Sequence, residues 1–142
     1  MSLRHIVLAS LLSAAVAFPM TTLAAEPQLA EPVVQLMPHV KKLRDSLDLN
    51  AEQDKVLDNW MAEAPLKRKA MEAEARQLRQ QMREAILNNE SRLVREEIKA
   101  QIAEKELRLI EMRALCTRML RNTLNEEQFA KVLASYRAQV NG

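Results

Sequence analysis

The sequence predicts an all-α protein: four helices, two of them long and paired as an antiparallel hairpin. Three observations carry that prediction. Ala, Leu, Glu, Arg, Gln and Lys dominate, while the only glycine is Gly142 and aromatics make up 3% of the chain. Such a composition suits helices and starves strands and glycine turns. Apolar residues recur three and four positions apart over long stretches. The pattern Leu-Asn-x-Glu-Gln occurs twice, as Leu49-Asn50-Ala51-Glu52-Gln53 and Leu124-Asn125-Glu126-Glu127-Gln128. Asn is a strong helix N-cap, and a Gln three residues later can return a hydrogen bond to the cap backbone, so each copy reads as a sharp entry into a helix.

The N-terminus reads as an export signal. Arg4 precedes an apolar run from Ile6 to Phe18, and Leu23-Ala24-Ala25 offers small residues for cleavage. The run is too short for a comfortable membrane span, which favours a cleaved segment, residues 1–25, over an integral membrane anchor. Residues 26–37, with Pro27 and Pro32, read as a flexible leader, and 38–142 as a single helical domain. The 117 residues after cleavage carry 20 basic and 19 acidic side chains. That near-balance argues against a nucleic-acid partner, which needs a strong basic excess.

Pro38 fits the first turn of a first helix, which runs to about Leu47 with Val40, Leu43 and Leu47 on one stripe. Asp48, Leu49 and Asn50 make the turn, and the first motif opens a second helix with Val56, Leu57, Trp60 and Met61 inward. Pro65 is expected to kink or break it near Ala64. Helix resumes from Leu66 to about Leu87, where Met71, Ala75, Leu78, Met82 and Ala85 form a heptad-like stripe. Residues 88–91 are a polar break. A third helix follows from Arg92 to about Asn122, with Val94, Ile98, Ile102, Leu109, Met112, Cys116 and Met119 inward. The second motif starts the last helix, in which Phe129, Val132, Leu133 and Tyr136 are the apolar set. Leu124 and Phe129 occupy hydrophobic-staple positions; in the first copy Asp54 stands where the staple residue would be. Helices this long leave apolar surface that a small chain cannot cover, and a homodimer is the expected completion.

Twin Leu-x-x-x-Gln elements behind an export signal, on an all-helical body of about this size, resemble the Spy/CpxP family of periplasmic proteins. That family carries two Leu-Thr-x-x-Gln motifs; Asn50 and Asn125 stand here where Thr is usual, and both residue types cap helices. The resemblance rests on Leu49, Asn50, Gln53, Leu124, Asn125 and Gln128. It implies a cradle-shaped helical dimer in the periplasm. Some members are ATP-independent chaperones for unfolded proteins, others regulate envelope-stress sensors, and related ones bind metal ions.

Candidate surfaces follow. Residues 45–63 carry a net charge of −5 and residues 67–83 a net of +4. Lys69, Arg76 and Arg83 repeat every seven residues and share a face; with Arg79, Met71 and Met82 they are the candidate client-binding set. Cations would attract unfolded chains at long range, and adaptable Met side chains would accept varied apolar segments. The alternative is a solvated face laced by pairs such as Glu72 with Arg76. Met112, Cys116 and Met119 share a face; their soft sulfurs suit Cu(I), but buried Cys and Met are common in helix cores and the core is the favoured reading. As the single cysteine, Cys116 has no internal disulfide partner, leaving a buried or free thiol, a bridge to a second chain, or a metal ligand. His39, the one histidine after the signal, is thin support for an imidazole metal site. No catalytic arrangement, Gly-rich phosphate loop or zinc-protease motif is present, and no cofactor is implied. The expected activity is that of an ATP-independent chaperone for unfolded envelope proteins; the alternative is an envelope-stress or metal-resistance accessory that regulates a membrane sensor through its periplasmic domain, with or without a bound metal.

Overall fold

The computed structural model describes residues 29–141; the signal-like segment and the first residues of the leader lie outside them. Among the described residues there are four α-helices and no strands: α1 (Met37–Leu43), α2 (Ala51–Leu87), α3 (Arg92–Thr123) and α4 (Glu126–Val140). A 3-10 turn, Arg44–Ser46, follows α1. The all-α class and the long antiparallel hairpin are therefore present. The register is antiparallel: Arg79 meets Glu106 and, seven residues back along α2, Glu72 meets Arg113, seven residues on along α3, with Glu74 and Lys105 paired across the same seam.

The core sits at the base of the hairpin. Leu36, Val40, Leu47, Leu57, Leu120, Leu124, Phe129 and Val132 form one buried cluster, drawn from all four helices and their joints. Leu57, Leu120 and Val132 are fully buried. Truncating a side chain so enclosed to Ala typically costs about 2–5 kcal/mol. Beyond the base, α2 and α3 extend as an arm whose only fully inward residues are Ala75, Leu78 and Ala85. Small residues there let the helices approach closely, and ion pairs flank the seam.

Four local expectations are corrected. The first helix ends at Leu43 and tightens into the 3-10 turn, although Val40 and Leu47 are both buried as expected. The domain begins before residue 38, because Leu36 is buried and Tyr136 Oη donates to the Val33 carbonyl at 3.3 Å. There is no break at Pro65: α2 is helical throughout its 37 residues. Proline removes one backbone donor, but the base cluster and α3 hold the helix on both sides of it. Val56 and Val94 are exposed instead of inward. Val56 precedes the fully buried Leu57, and a helix turns about 100° per residue, so the two cannot share the core direction. Val94 lies in the first turn of α3, at the open end of the arm.

The hairpin turn uses Asn89 in the left-handed region, φ 52°, where asparagine is tolerated without glycine. Glu90 N–H donates to the Ala85 carbonyl at 2.8 Å and Asn89 N–H to that of Ile86 at 3.1 Å, which closes α2 in a Schellman motif. Ser91 then caps α3, its hydroxyl accepting from Val94 N–H.

Candidate functional site

Both Leu-Asn-x-Glu-Gln elements form complete capping boxes. Asn50 Oδ1 accepts from Gln53 N–H at 2.9 Å, and Gln53 Oε1 accepts from Asn50 N–H at 3.0 Å. Asn125 and Gln128 repeat the exchange at 2.9 Å in both directions. The boxes also bind each other. Gln53 Nε2 donates to Gln128 Oε1 and to the Thr123 carbonyl, both at 2.9 Å. Gln128 Nε2 donates to the Leu47 carbonyl at 2.8 Å, with longer approaches to Asp48 O and Gln53 Oε1 at 3.4 Å. Each glutamine thus caps its own helix and satisfies a carbonyl at the end of the segment preceding the other. The arrangement is nearly two-fold symmetric, since Asp48 precedes the first motif as Thr123 precedes the second.

The surroundings of the two copies differ. Leu124 and Phe129, the staple pair, are both buried, and the Arg121 guanidinium lies 4.5 Å from the Phe129 ring centre. In the first copy Asp54 instead accepts from Arg44 at 2.8 Å, while the other arm of Arg44 reaches Asp58 at 2.8 Å. Those carboxylates hold Arg44 above the usual guanidinium value, Asp58 contributing most. A charged bracket thus stands where the second copy has an apolar one. Leu49 is half-buried against the core.

The candidate client-binding residues divide between two faces of α2. Lys69 and Arg83 are exposed, and Arg76, half-buried, shares their line. Leu66, Ala73, Gln80 and Leu87 fall on the same line and are exposed, with Leu66 and Leu87 showing 68% and 71% of their surface. Met71 and Met82 are half-buried on the side of Ala75, Leu78 and Ala85, so they belong to the seam with α3. Arg79 crosses that seam to Glu106, and its Nε is buried without a hydrogen-bond partner. Glu72 holds Arg68 at 2.7 Å and lies 3.7 Å from Arg113. Burial, and next the charge of Arg68, pull Arg113 below the usual guanidinium range.

Neither a scan of protein-family models nor searches of curated proteins and of solved structures finds a match to this chain.

The sulfur trio lies against the base cluster. Cys116 and Met119 pack on it, Met112 is half-buried one turn away, and Thr123 Oγ1 approaches the Met119 sulfur at 3.6 Å. Burial pushes the Cys116 thiol up; Arg113 and a hydrogen bond with Trp60 oppose that shift. His39 is buried, with Nδ1 2.8 Å from Ser135 Oγ and its ring edge-on to Tyr136 at 5.7 Å. It ties α1 to α4. No cluster of three His, Cys, Asp or Glu side chains suited to a metal occurs among the described residues.

Two features escaped the periodicity reading, which named one inward stripe per helix. A groove of about 620 Å³ opens at the end of the arm, lined by Gln77, Gln81, Glu84, Val94 and Ile98 among others. The outer side of α3 also carries exposed apolar residues, Leu107 and Ile110 among them. The signal for the second lay in a further set of three-and-four spacings along α3.

Proposed function

We propose that this chain is an ATP-independent chaperone of the Spy/CpxP type, acting on unfolded proteins in the periplasm. The outer line of α2 carries the reading: Leu66, Lys69, Ala73, Arg76, Gln80, Arg83 and Leu87 alternate apolar, polar and cationic groups along one exposed face. An unfolded chain offers scattered apolar segments and carboxylates. Such a face attracts it through charge and holds it through small, separate apolar contacts. No single pocket fixes the client, so it keeps the freedom to fold while bound. The twin motifs support the reading by resemblance, and they hold the base of the arm in one geometry. In this reading the client surface is the line of Lys69, Arg76 and Arg83, while Met71, Met82 and Arg79 serve it from behind by keeping α2 against α3.

The test is suppression of aggregation of a chemically denatured client at stoichiometric amounts of the purified protein, repeated across a salt series. Protection should weaken with salt, and Lys69→Glu combined with Arg83→Glu should remove most of it while the circular dichroism stays unchanged. Absence of protection at every salt concentration overturns the proposal.

A further inference from the structure

The groove at the end of the arm is built differently from the seam below it. In the seam, Glu74 and Lys105 pair at 2.7 Å and Arg79 reaches Glu106. Beyond those pairs, α2 lines the groove with Gln77, Gln81, Glu84 and Asn88, at spacings of four, three and four residues. Gln80 joins them from the side and Glu90 from the hairpin turn. All six are exposed, and among the described residues no side-chain hydrogen bond or ion pair engages them. Ala85, Val94 and Ile98 supply the apolar part of the lining, which holds two carboxylates and no basic side chain.

We infer that this groove binds an extended, cationic peptide segment with apolar residues at alternate positions. Its dimensions select the backbone form. From Gln77 to Asn88 it follows α2 for about 16 Å. Its volume of about 620 Å³ is less than half of what a helix of that length fills, because a helix with its side chains is about 10–12 Å across. An extended chain rises about 3.3 Å per residue, so about five residues span the groove. Such a chain shows unpaired N–H and C=O groups along its edge. The carboxamides of Gln77, Gln80, Gln81 and Asn88 each offer donors and an acceptor, so they answer both without reading side chains. Alternate side chains of the segment point the same way, onto Ala85, Val94 and Ile98. A Lys or Arg at the end nearest the hairpin turn meets Glu84 and Glu90, and the same pair repels an acidic segment. The groove lies about 100° around α2 from the line of Lys69, Arg76 and Arg83 and shares only Gln80 with it. The two surfaces carry opposite charge, and the peptide site stands independently of the chaperone reading.

The test is fluorescence anisotropy of a labelled peptide of alternating leucine and serine, flanked by arginines, titrated with the purified protein. Binding should saturate and should weaken with salt. Glu84→Lys with Glu90→Lys should weaken it by about tenfold or more at unchanged circular dichroism, and so should replacing the flanking arginines of the peptide by glutamates. Methylating alternate backbone nitrogens of the peptide, which keeps its charge and removes the donors, should abolish binding. Lys69→Glu with Arg83→Glu, on which the chaperone reading depends, should leave binding intact. Absence of saturable binding, equal binding of the glutamate-flanked or the methylated peptide, or binding indifferent to the changes at Glu84 and Glu90 overturns the proposal. Peptide capture without protection of denatured clients would count against the chaperone reading alone, and protection without peptide capture against this one alone.

Discussion

Gln53 and Gln128, 75 positions apart in sequence, meet amide to amide, with Gln53 Nε2 donating to Gln128 Oε1 at 2.9 Å. Each amide is already engaged in its own capping box, so the contact joins the starts of α2 and α4 into one network. Gln128 is buried and Gln53 half-buried. Gln128→Ala strands the Leu47 carbonyl and the Asn125 N–H and should cost about 2–3 kcal/mol; Gln53→Ala should cost about 1–2 kcal/mol. Because they share partners, the double variant should fall short of the sum by about 0.5 kcal/mol or more. Urea denaturation of the four-member cycle measures this, and strict additivity would contradict the network.

Pro65 sits inside an unbroken helix. Its ring removes the donor that would reach the Met61 carbonyl and crowds that turn. Pro65→Ala should therefore raise stability by about 1–3 kcal/mol, read as a higher urea midpoint at constant slope. A loss of stability would mean that the proline conformation is required by the packing.

Arg79 spans the seam to Glu106 with its Nε buried and unpartnered. Removing one member of such a pair leaves the other charge half-enclosed. Glu106→Ala should destabilise the arm by about 1–3 kcal/mol, whereas Arg79→Met with Glu106→Leu should be nearly neutral. Thermal denaturation separates the two outcomes. The same pair accounts for a different expectation in client assays: Arg79→Ala should act through arm stability, and Lys69→Ala through surface charge.

Cys116 is half-buried, and burial raises its thiol above the ordinary value. The thiol is therefore protonated at neutral pH, and modification by a thiol reagent should be slow in the folded protein and fast after denaturation. The sign of the linkage follows. Above about pH 8.5 the unfolded chain releases this proton more readily than the folded one, so Cys116 contributes stability below that range that is lost as pH rises. Cys116→Ala should remove that part of the alkaline loss in a pH series of urea midpoints.

The helices were legible because their signals are local. Asn50 and Asn125 announce helix starts, and the stripe of Ala75, Leu78 and Ala85 lies inward as its spacing requires. Pro65 misled because propensity is local, whereas the continuity of α2 is enforced by packing on both sides. The boxes themselves were readable in Gln53 and Gln128, but their mutual contact was not: a capping pattern spans four residues and carries no information about which other helix start lies beside it. Met71 and Met82 illustrate the same limit at the site. Their chemistry suits an adaptable surface, yet their phase on the helix places them in the seam, and the exposed partners of Lys69 and Arg83 are Leu66 and Leu87.

Because the clasp of Gln53 and Gln128 closes the chain at the base, the arm beyond it behaves as a cantilever fixed at one end. Seven residues added to α2 and seven to α3, placed at matching heights, would extend the reach by about 10 Å and return every side chain to nearly its original bearing. Span and mounting are thus separate dimensions in this fold: the arm can be lengthened or shortened by whole heptads while the joint that holds it keeps the same parts.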